Sequence, residues 1–355
     1  MPVVISSTQT VTTNPDSWLD FSEHKTWAAV LTAIASTPGA ADVCIHSRGR
    51  IRLKIRGHYR IPILDAELAS GGKWSELCAL LNPAMPSMAN NEYARDGGCS
   101  IGSIRFRFSH VRELYGEEFT LRPMPSRIPT PAEIQLPAAL VKRFVEINDG
   151  LIAFAGSTGN GKSTSIASLI SENARQKAIR VVTIEDPIEY LHEDMPNGST
   201  FTYRAVGTHT GSFACAMRDA MRMHPDIIVL GELRDAREAN VALEAALTGH
   251  KVITTLHGGS VEQGMQRLGD FSREIGESAI GGFAQAFRMC VAQRLVHNAA
   301  GTALLPLHEI LLGTQSVISK IRGGRFFTLR QEMETGSEDG MQTFERSPNY
   351  HKTRQ

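Results

Sequence analysis

The chain has 355 residues, which is long enough for two domains with a sizeable hydrophobic core. Lysine plus arginine and aspartate plus glutamate both number 37, so the net charge provides no general attraction to nucleic acid or to an acidic membrane surface. Five scattered cysteines without a C-x-x-C pair argue against a zinc site or a disulfide framework, and the absence of a signal peptide or a run of ~20 apolar residues leads us to expect a cytoplasmic protein.

The first predicted domain spans residues 20–122 and follows a flexible lead-in at 1–19. Apolar residues at helical spacing predict helices over 21–35 and 74–81. Alternating apolar and polar residues predict strands at 42–46, in a hairpin over 51–63 that turns at Gly57 and His58, at 102–108 and at 118–122. This pattern predicts an α+β domain with a largely antiparallel sheet.

Five prolines between Pro123 and Pro137 predict a stiff linker over 123–137. From 138 to 335 strands and helices alternate, which indicates a parallel sheet with crossover helices. Strands are expected at 151–155, 180–184, 227–230 and 251–255, and helices at 138–147, after the first of these strands, at 212–223 and at 236–247. Residues 192–211 look less regular. Helices are then predicted at 261–268 and 280–295, a short strand near 304–310, and a polar, poorly ordered tail at 336–355.

Residues 156–163 match the pattern G-x-x-x-x-G-K-[ST] between a predicted strand and a predicted helix. Small residues let successive backbone N–H groups turn inward and bind an anion, next to the positive end of the following helix. Lys162 should then reach the β- and γ-phosphates of ATP, and the Ser163 hydroxyl should help to hold Mg²⁺. The residues predicted to contact the nucleotide are Gly156, Ser157, Thr158, Gly159, Asn160, Gly161, Lys162, Ser163 and Thr164.

Acidic and histidine residues follow three other predicted strands, where the carboxyl ends of an open α/β sheet bind ligands. An ATPase of this type needs one carboxylate near Mg²⁺, one for the attacking water and a sensor of the γ-phosphate. Glu232 suits the first role, and either Glu189 or Glu185 suits the second. His257 and His250 are candidates for the third, although His250 could also be a plain helix C-terminal residue after Gly249.

These four motifs, in this order and spacing, resemble the type II/type IV secretion ATPase superfamily over roughly residues 40–345. The resemblance implies an α/β RecA-like P-loop NTPase domain preceded by a smaller α+β, PAS-like domain. It implies that Glu189 is the catalytic carboxylate and Glu232 the Walker B glutamate on the magnesium side. It also implies that His250 and His257 form the histidine box.

The resemblance further implies a homohexameric ring in which arginines reach the nucleotide of a neighbouring subunit. The arginines that match are Arg204, Arg218 and Arg222 in the second domain, and Arg105, Arg107 and Arg122 in the first. A plain solvated role stays open for Arg105 and Arg107.

The function implied is a cytoplasmic ATPase that powers a type IV secretion, conjugation or type IV pilus machine through partners at the inner membrane. The chain has neither the long N-terminal extension nor the four-cysteine motif of many assembly ATPases. Residues 316–321 replace the Ala-Ile-Arg-Asn-Leu segment of retraction ATPases, and the chain ends soon after Phe344, which together favour secretion or conjugation.

Four alternatives stay open. A pilus-retraction motor proper would use the same motifs. A nucleic-acid translocase on a RecA-like core would need a basic, aromatic-lined channel, against which neutral charge and 6% aromatics argue. A P-loop kinase would need an acceptor site and a lid, which the sequence does not reveal. A catalytically silent ring disagrees with the presence of Glu189 and Glu232.

Overall fold

The protein is described by a computed structural model that covers residues 19–55, 58–82, 93–125, 127–276 and 278–353. The chain divides into two compact units, Met1–Ser126 and Arg127–Gln355. The predicted lead-in before Leu19 and the predicted turn residue Gly57 lie outside the described residues.

Unit 1 contains a six-stranded sheet in the order β4-β3-β2-β8-β7-β6, with antiparallel neighbours throughout. A separate short pair, β1 and β5, is parallel. The strand bounds are β1 (Asp20–Phe21), β2 (Ala40–His46), β3 (Ile51–Ile55), β4 (His58–Arg60), β5 (Ile63–Leu64), β6 (Ala94–Ile101), β7 (Ile104–Glu113) and β8 (Gly116–Pro123). The sequence did not predict β6, because two glycines and several polar residues interrupt its apolar alternation.

The helices of unit 1 are α1 (Trp27–Ala35), α2 (Ala66–Ala69) and α3 (Trp74–Leu81). Helix α1 begins where the Thr26 side chain accepts a hydrogen bond from the Ala29 N–H, which satisfies one free donor of the first turn. The buried residues of α1 recur at helical spacing and join the strand residues in one apolar core. The antiparallel sheet and both predicted helices are therefore present, although the first helix begins at Trp27 and not at residue 21.

Unit 2 contains a seven-stranded sheet in the order β11-β10-β12-β13-β9-β14-β15. All neighbouring pairs are parallel except β14 and β15, which are antiparallel. The strand bounds are β9 (Gly150–Ala155), β10 (Arg180–Glu185), β11 (Thr200–Ala205), β12 (Ile227–Leu230), β13 (Lys251–Leu256), β14 (Phe287–His297) and β15 (Leu304–Leu312). The sheet lies in a single large apolar core, so the parallel strands β9, β10, β12 and β13 are buried on both faces, whereas the edge strand β11 is partly exposed.

The α-helices of unit 2 are α4 (Ala138–Glu146), α5 (Lys162–Gln176), α6 (Phe213–Met221), α7 (Ala236–Leu247), α8 (Val261–Ile275), α9 (Ala279–Ala286), α10 (Gln315–Arg322) and α11 (Leu329–Thr335). Local caps define several of their starts. The side chains of Asp235 and Ser260 accept hydrogen bonds from the N–H groups of Glu238 and Gln263. Between these helices the carboxyl ends of β9, β10, β12 and β13 meet at one edge of the sheet.

The prediction of a helix over 280–295 is wrong beyond Ala286, where the chain continues as β14. This strand lies between β9 and β15, and residues 287–293 are almost all buried. A strand that is covered on both faces has no apolar–polar alternation, so its sequence resembles a buried helix. The irregular segment predicted at 192–211 likewise contains the edge strand β11.

The prediction of a poorly ordered tail is corrected by residues 337–353, which pack on unit 2. Gln342 exchanges backbone hydrogen bonds of 2.9 and 3.1 Å with Ile310 of β15. The Phe344 side chain is buried, and the Asn349 amide donates to the carbonyl of Pro306. A few buried apolar and amide side chains thus order a segment whose overall composition is polar.

Residues 127–137 of the predicted linker also pack on unit 2. The Arg127 guanidinium forms two 2.8 Å hydrogen bonds with the Glu133 carboxylate, and Leu136 belongs to the core of unit 2. Residues 127–137 are therefore a folded part of unit 2, and the predicted linker does not extend over them.

Candidate functional site

The loop between β9 and α5 has the backbone geometry of an anion-binding nest. Gly159 and Gly161 adopt left-handed φ angles of 83° and 78°. A Cβ atom on Gly156 would lie 2.7 Å from the carbonyl oxygen of Gln293, so that position has no room for a side chain. Helix α5 begins at Lys162, and its free N–H groups and positive end face the loop. The loop can therefore bind phosphate.

The Lys162 ammonium lies inside this loop. Its Nζ donates hydrogen bonds of 2.7 and 3.1 Å to the carbonyl oxygens of Gly156 and Ser157. Burial lowers the pKa of Lys162 below its usual value, while the negative charges of Glu232 and Glu189 act in the opposite direction. The structure thus brings both predicted carboxylates close to the lysine that should face the phosphates.

Glu232 follows β12 at the same edge of the sheet. The preceding Gly231 donates through its N–H to Ile184 of β10, and its carbonyl accepts a 2.6 Å hydrogen bond from the Thr255 hydroxyl of β13. The carboxylate of Glu232 lies 2.9 Å from Nε2 of His257, at the end of β13. Neighbouring parallel strands therefore fix the Glu232–His257 pair.

The two candidates for the catalytic base lie side by side. Glu185 ends β10 and lines a cavity of about 40 Å³ together with Ser163. Glu189 follows in the next loop, and its backbone N–H donates to Oε2 of Glu185 at 3.4 Å. Both carboxylates are half-buried, so the geometry leaves both eligible.

Two aromatic residues that were not predicted anchor the Glu189 loop to helix α5. The Tyr190 hydroxyl lies 2.7 Å from the Thr164 hydroxyl, and burial raises the pKa of Tyr190. Nε2 of His192 lies 3.1 Å from the carbonyl oxygen of Ala167, and burial lowers the pKa of His192. Their position directly after the acidic motif was the signal that could have identified them.

Gln293 of β14 was also missed, because its segment was predicted to be helical. Its Oε1 accepts a 2.7 Å hydrogen bond from the Ser165 hydroxyl. Its Nε2 donates to the carbonyl oxygen of Asn160 at 2.8 Å. This buried amide therefore connects the phosphate loop to the first turn of helix α5.

His250 does not join this site within its own chain. It precedes β13, and its carbonyl accepts from the N–H of Gly150, the first residue of β9. The phosphate loop follows the last residue of β9, so a six-residue strand of roughly 20 Å separates them. Nδ1 of His250 lies 3.2 Å from the carbonyl oxygen of Ala245 in α7. Within its own chain, His250 therefore lies at the end of helix α7 and away from the phosphate loop, and its role as a γ-phosphate sensor stays a prediction.

Four of the predicted arginines lie on exposed surfaces, two in each unit. In unit 1, Arg107 and Arg122 occupy directly opposite positions on β7 and β8, and Arg122 donates a 2.8 Å hydrogen bond to Asp42. In unit 2, Arg218 lies on α6 with its guanidinium 3.3 Å from the sulfur of Cys215, and Arg222 follows the last turn of that helix.

Two more arginines from the resemblance are more enclosed. Arg204 pairs with Asp219 at 3.0 Å, and Arg105 lies half-buried on β7. In unit 2, the charges that act on Lys162 are those of Glu232 and Glu189. The action of the arginines on a neighbouring subunit stays a prediction.

The side chains at this edge also include suitable ligands for magnesium. Mg²⁺ prefers hard oxygen ligands and is commonly held by a hydroxyl or one or two carboxylates together with phosphate oxygens. The Ser163 hydroxyl and the Glu232 carboxylate provide such oxygens next to the phosphate loop. Both residues therefore fit the predicted metal role.

Comparison with known proteins gives a consistent result. The sequence profile described as "Type II/IV secretion system protein" matches residues 98–318. The type IV pilus ATPase PilU of Pseudomonas aeruginosa is 31% identical over 317 residues, which cover 87% of this chain and 80% of PilU. The crystal structure of the pilus retraction motor PilT with bound ADP has a TM-score of 0.75 and 27% identity, and the match covers 91% of both chains. The Legionella pneumophila ATPase DotB shares the fold, with a TM-score of 0.71 and 24% identity over 89% of this chain and 93% of DotB.

Proposed function

The chain belongs to the type II/type IV secretion ATPase family, and from this premise we propose that it works as a homohexameric motor for a type IV pilus or a secretion machine. It is an ATP hydrolase and a traffic ATPase, as its relatives are. We further propose that unit 2 is a RecA-like core and unit 1 a PAS-like domain. The product of the reaction would be mechanical work on partner proteins.

The observation that carries the proposal is the meeting of Lys162, Glu189 and Glu232 beside a phosphate-binding nest. Lys162 and the first N–H groups of α5 would bind the phosphates and offset their negative charge. Glu189 would orient the attacking water and accept its proton. Ser163 and Glu232 would hold Mg²⁺, which neutralises charge on the phosphate oxygens when bound. His257 would orient the Glu232 carboxylate through their 2.9 Å contact.

The proposed ring rests on the arginines of unit 1. Like charges directly opposite on neighbouring strands are destabilising, and Arg107 and Arg122 occupy such positions on β7 and β8, where Asp42 offsets part of the positive charge through its 2.8 Å contact with Arg122. Such a pair suits a polyanionic partner. Head-to-tail contacts that close generate a ring, and a ring would bring this pair to the ATP of the adjacent subunit. The arginines would then stabilise charge that develops in the transition state.

The partners are proposed from the relatives. PilU is named as a type IV pilus ATPase and PilT as a pilus retraction motor, whereas DotB is named only as an ATPase. Among the described residues, no helix combines the length and the apolar character that crossing a membrane requires. We therefore propose attachment to the inner membrane through components of the machine.

The test of the site uses four substitutions in the full chain. Lys162→Ala should abolish ATP hydrolysis and sharply weaken nucleotide binding, because the cation that faces the phosphates is lost. Glu189→Gln should lower turnover by roughly 10²–10⁴-fold while nucleotide binding persists. Glu193→Gln, at an exposed position in the same loop, is the matched control and should keep its activity. If Glu185→Gln loses turnover and Glu189→Gln does not, Glu185 is the base.

The test of the ring mixes two inactive variants. Arg122→Ala should stop turnover but preserve nucleotide affinity, and mixing it with Glu189→Gln should restore part of the activity at mixed interfaces. Arg52→Ala, exposed on β3 of the same unit, is the matched control and should remain active. Specific activity that stays constant on dilution to a verified monomer would contradict the ring.

A further inference from the structure

Three side chains with different metal-binding chemistry lie close together in unit 1, which contains none of the nucleotide-site motifs. They are Cys78 of α3, His110 of β7 and Glu117 of β8. One ligand atom from each lies within 4.8 Å of the other two. Cys78 and His110 are buried, whereas the Glu117 side chain keeps 23% of its surface exposed.

The fold holds these residues in place through the β7–β8 pairing. His110 lies directly opposite Phe119, and Glu117 is two residues from Phe119, so all three project from the same face of the sheet. Helix α3 contacts this face. The ring of its Trp74 lies 6.0 Å from His110 and 5.3 Å from Phe119. The His110 ring stacks on Phe119 at 3.9 Å, which fixes its orientation.

The His110–Glu117 distance suits a tetrahedral site, and the Cys78 sulfur lies within 4.8 Å of both ligand atoms. Zinc lies about 2.3 Å from sulfur and about 2.0–2.2 Å from nitrogen or carboxylate oxygen, so neighbouring ligands are roughly 3.3–3.6 Å apart. Nε2 of His110 and Oε2 of Glu117 are 3.1 Å apart. We propose that Cys78, His110 and Glu117 bind one Zn²⁺ ion, with water in the fourth position. The site would join α3 to the sheet.

Zinc binding would release one proton, from the Cys78 thiol. Burial and the Glu117 charge raise the pKa of Cys78 to about 11, so the metal-free cysteine is a thiol at neutral pH. Zinc would bind the thiolate, and the thiol proton would go to solvent. The metal would take the Nε2 lone pair of neutral His110, and the ring proton would reside on Nδ1. Glu117 would contribute its existing negative charge.

The competing interpretation is a structural hydrogen bond between His110 and Glu117. Arg112 supports it, since its guanidinium lies 3.5 Å from Oε1 of Glu117. That contact engages Oε1, whereas the other carboxylate oxygen, Oε2, lies 3.1 Å from Nε2 of His110. The hydrogen bond accounts for two of the three residues but gives no role to the nearby sulfur of Cys78.

The experiment uses the full chain, stripped with a chelator and titrated with Co²⁺ as a spectroscopic substitute for Zn²⁺. We expect a sulfur-to-cobalt charge-transfer band that saturates at one equivalent and disappears when Zn²⁺ is added. Oxygen ligands at the nucleotide site cannot produce this band. Cys78→Ser should abolish it, and Glu117→Gln should weaken binding about tenfold or more. Cys99→Ser is the matched control, because Cys99 is another thiol of unit 1 whose pKa burial raises to about 11.

Each outcome decides the proposal. A folded wild-type chain without the band overturns it, as does a band that persists in Cys78→Ser or is lost in Cys99→Ser. If Cys78→Ser fails to fold, Glu117→Gln decides, since this part-exposed position tolerates substitution. At the same zinc concentration, zinc should also raise the melting temperature of the wild-type chain more than that of Glu117→Gln. Equal shifts in both would show that zinc binds elsewhere.

Discussion

Gln293→Ala should destabilise the phosphate loop, although residue 293 is far from that loop in the sequence. The side chain is 3% exposed and forms two hydrogen bonds, one to the Ser165 hydroxyl and one to the Asn160 carbonyl. It also lies 3.0 Å from the position that a Cβ on Gly161 would occupy. Truncation would remove both hydrogen bonds and leave a space behind the loop, so the loop should lose its preorganised conformation.

The magnitude follows from those two hydrogen bonds. Each contributes about 0.5–1.5 kcal/mol net, which gives a loss of about 1–3 kcal/mol. For a unit of this size, the melting temperature should fall by roughly 2–12 °C. If the loss acts mainly on the loop, nucleotide affinity should fall by roughly five- to a hundredfold, because 1.4 kcal/mol corresponds to a factor of ten.

The assay combines thermal denaturation with titration of a fluorescent ADP analogue. Gln331→Ala on α11, where the side chain is exposed, is the matched control and should behave as the wild type. Gln293→Ala that binds the analogue with wild-type affinity and melts within about 1 °C of the wild type would refute the reasoning. Loss of affinity without loss of stability would locate the effect in the loop itself.

Three further predictions concern other parts of unit 2. Burial, with a contribution from Lys177, lowers the pKa of Lys251 to about 7, so between about pH 7 and pH 10 the unfolded chain binds more protons than the folded one. The stability of the wild type relative to Lys251→Met should then rise with pH by up to about 1.4 kcal/mol per pH unit in urea denaturation, and a flat difference would contradict the shift. His257→Ala should lower kcat about tenfold or more, because Glu232 loses its 2.9 Å partner. An equal loss of kcat in His250→Ala would indicate that His250 also acts at a nucleotide. Phe344→Ala should cost about 3–5 kcal/mol because the ring is buried beneath the Arg294 guanidinium, and a tail without order would show no such loss on denaturation.

The amino-acid sequence by itself determined the elements whose signals are local. The helices Trp74–Leu81 and Ala236–Leu247 and the strand Ile227–Leu230 have the predicted bounds. Their apolar spacing and, for the second helix, the Asp235 cap lie within the segments themselves. The phosphate loop belongs to this class, because its glycines, lysine and following helix are contiguous in the chain.

Only the tertiary structure decided the features that depend on distant contacts. Residues 287–297 form a strand because β9 and β15 flank them, and this placement brings Gln293 to the phosphate loop. The parallel register separates His250 from His257 by the length of β13, although the sequence places them seven residues apart. The pairing of β7 with β8 and the packing of α3 likewise assemble Cys78, His110 and Glu117. Sequence periodicity predicts which face of its own helix or strand a residue occupies. These sites, in contrast, depend on which helices and strands become neighbours in the fold.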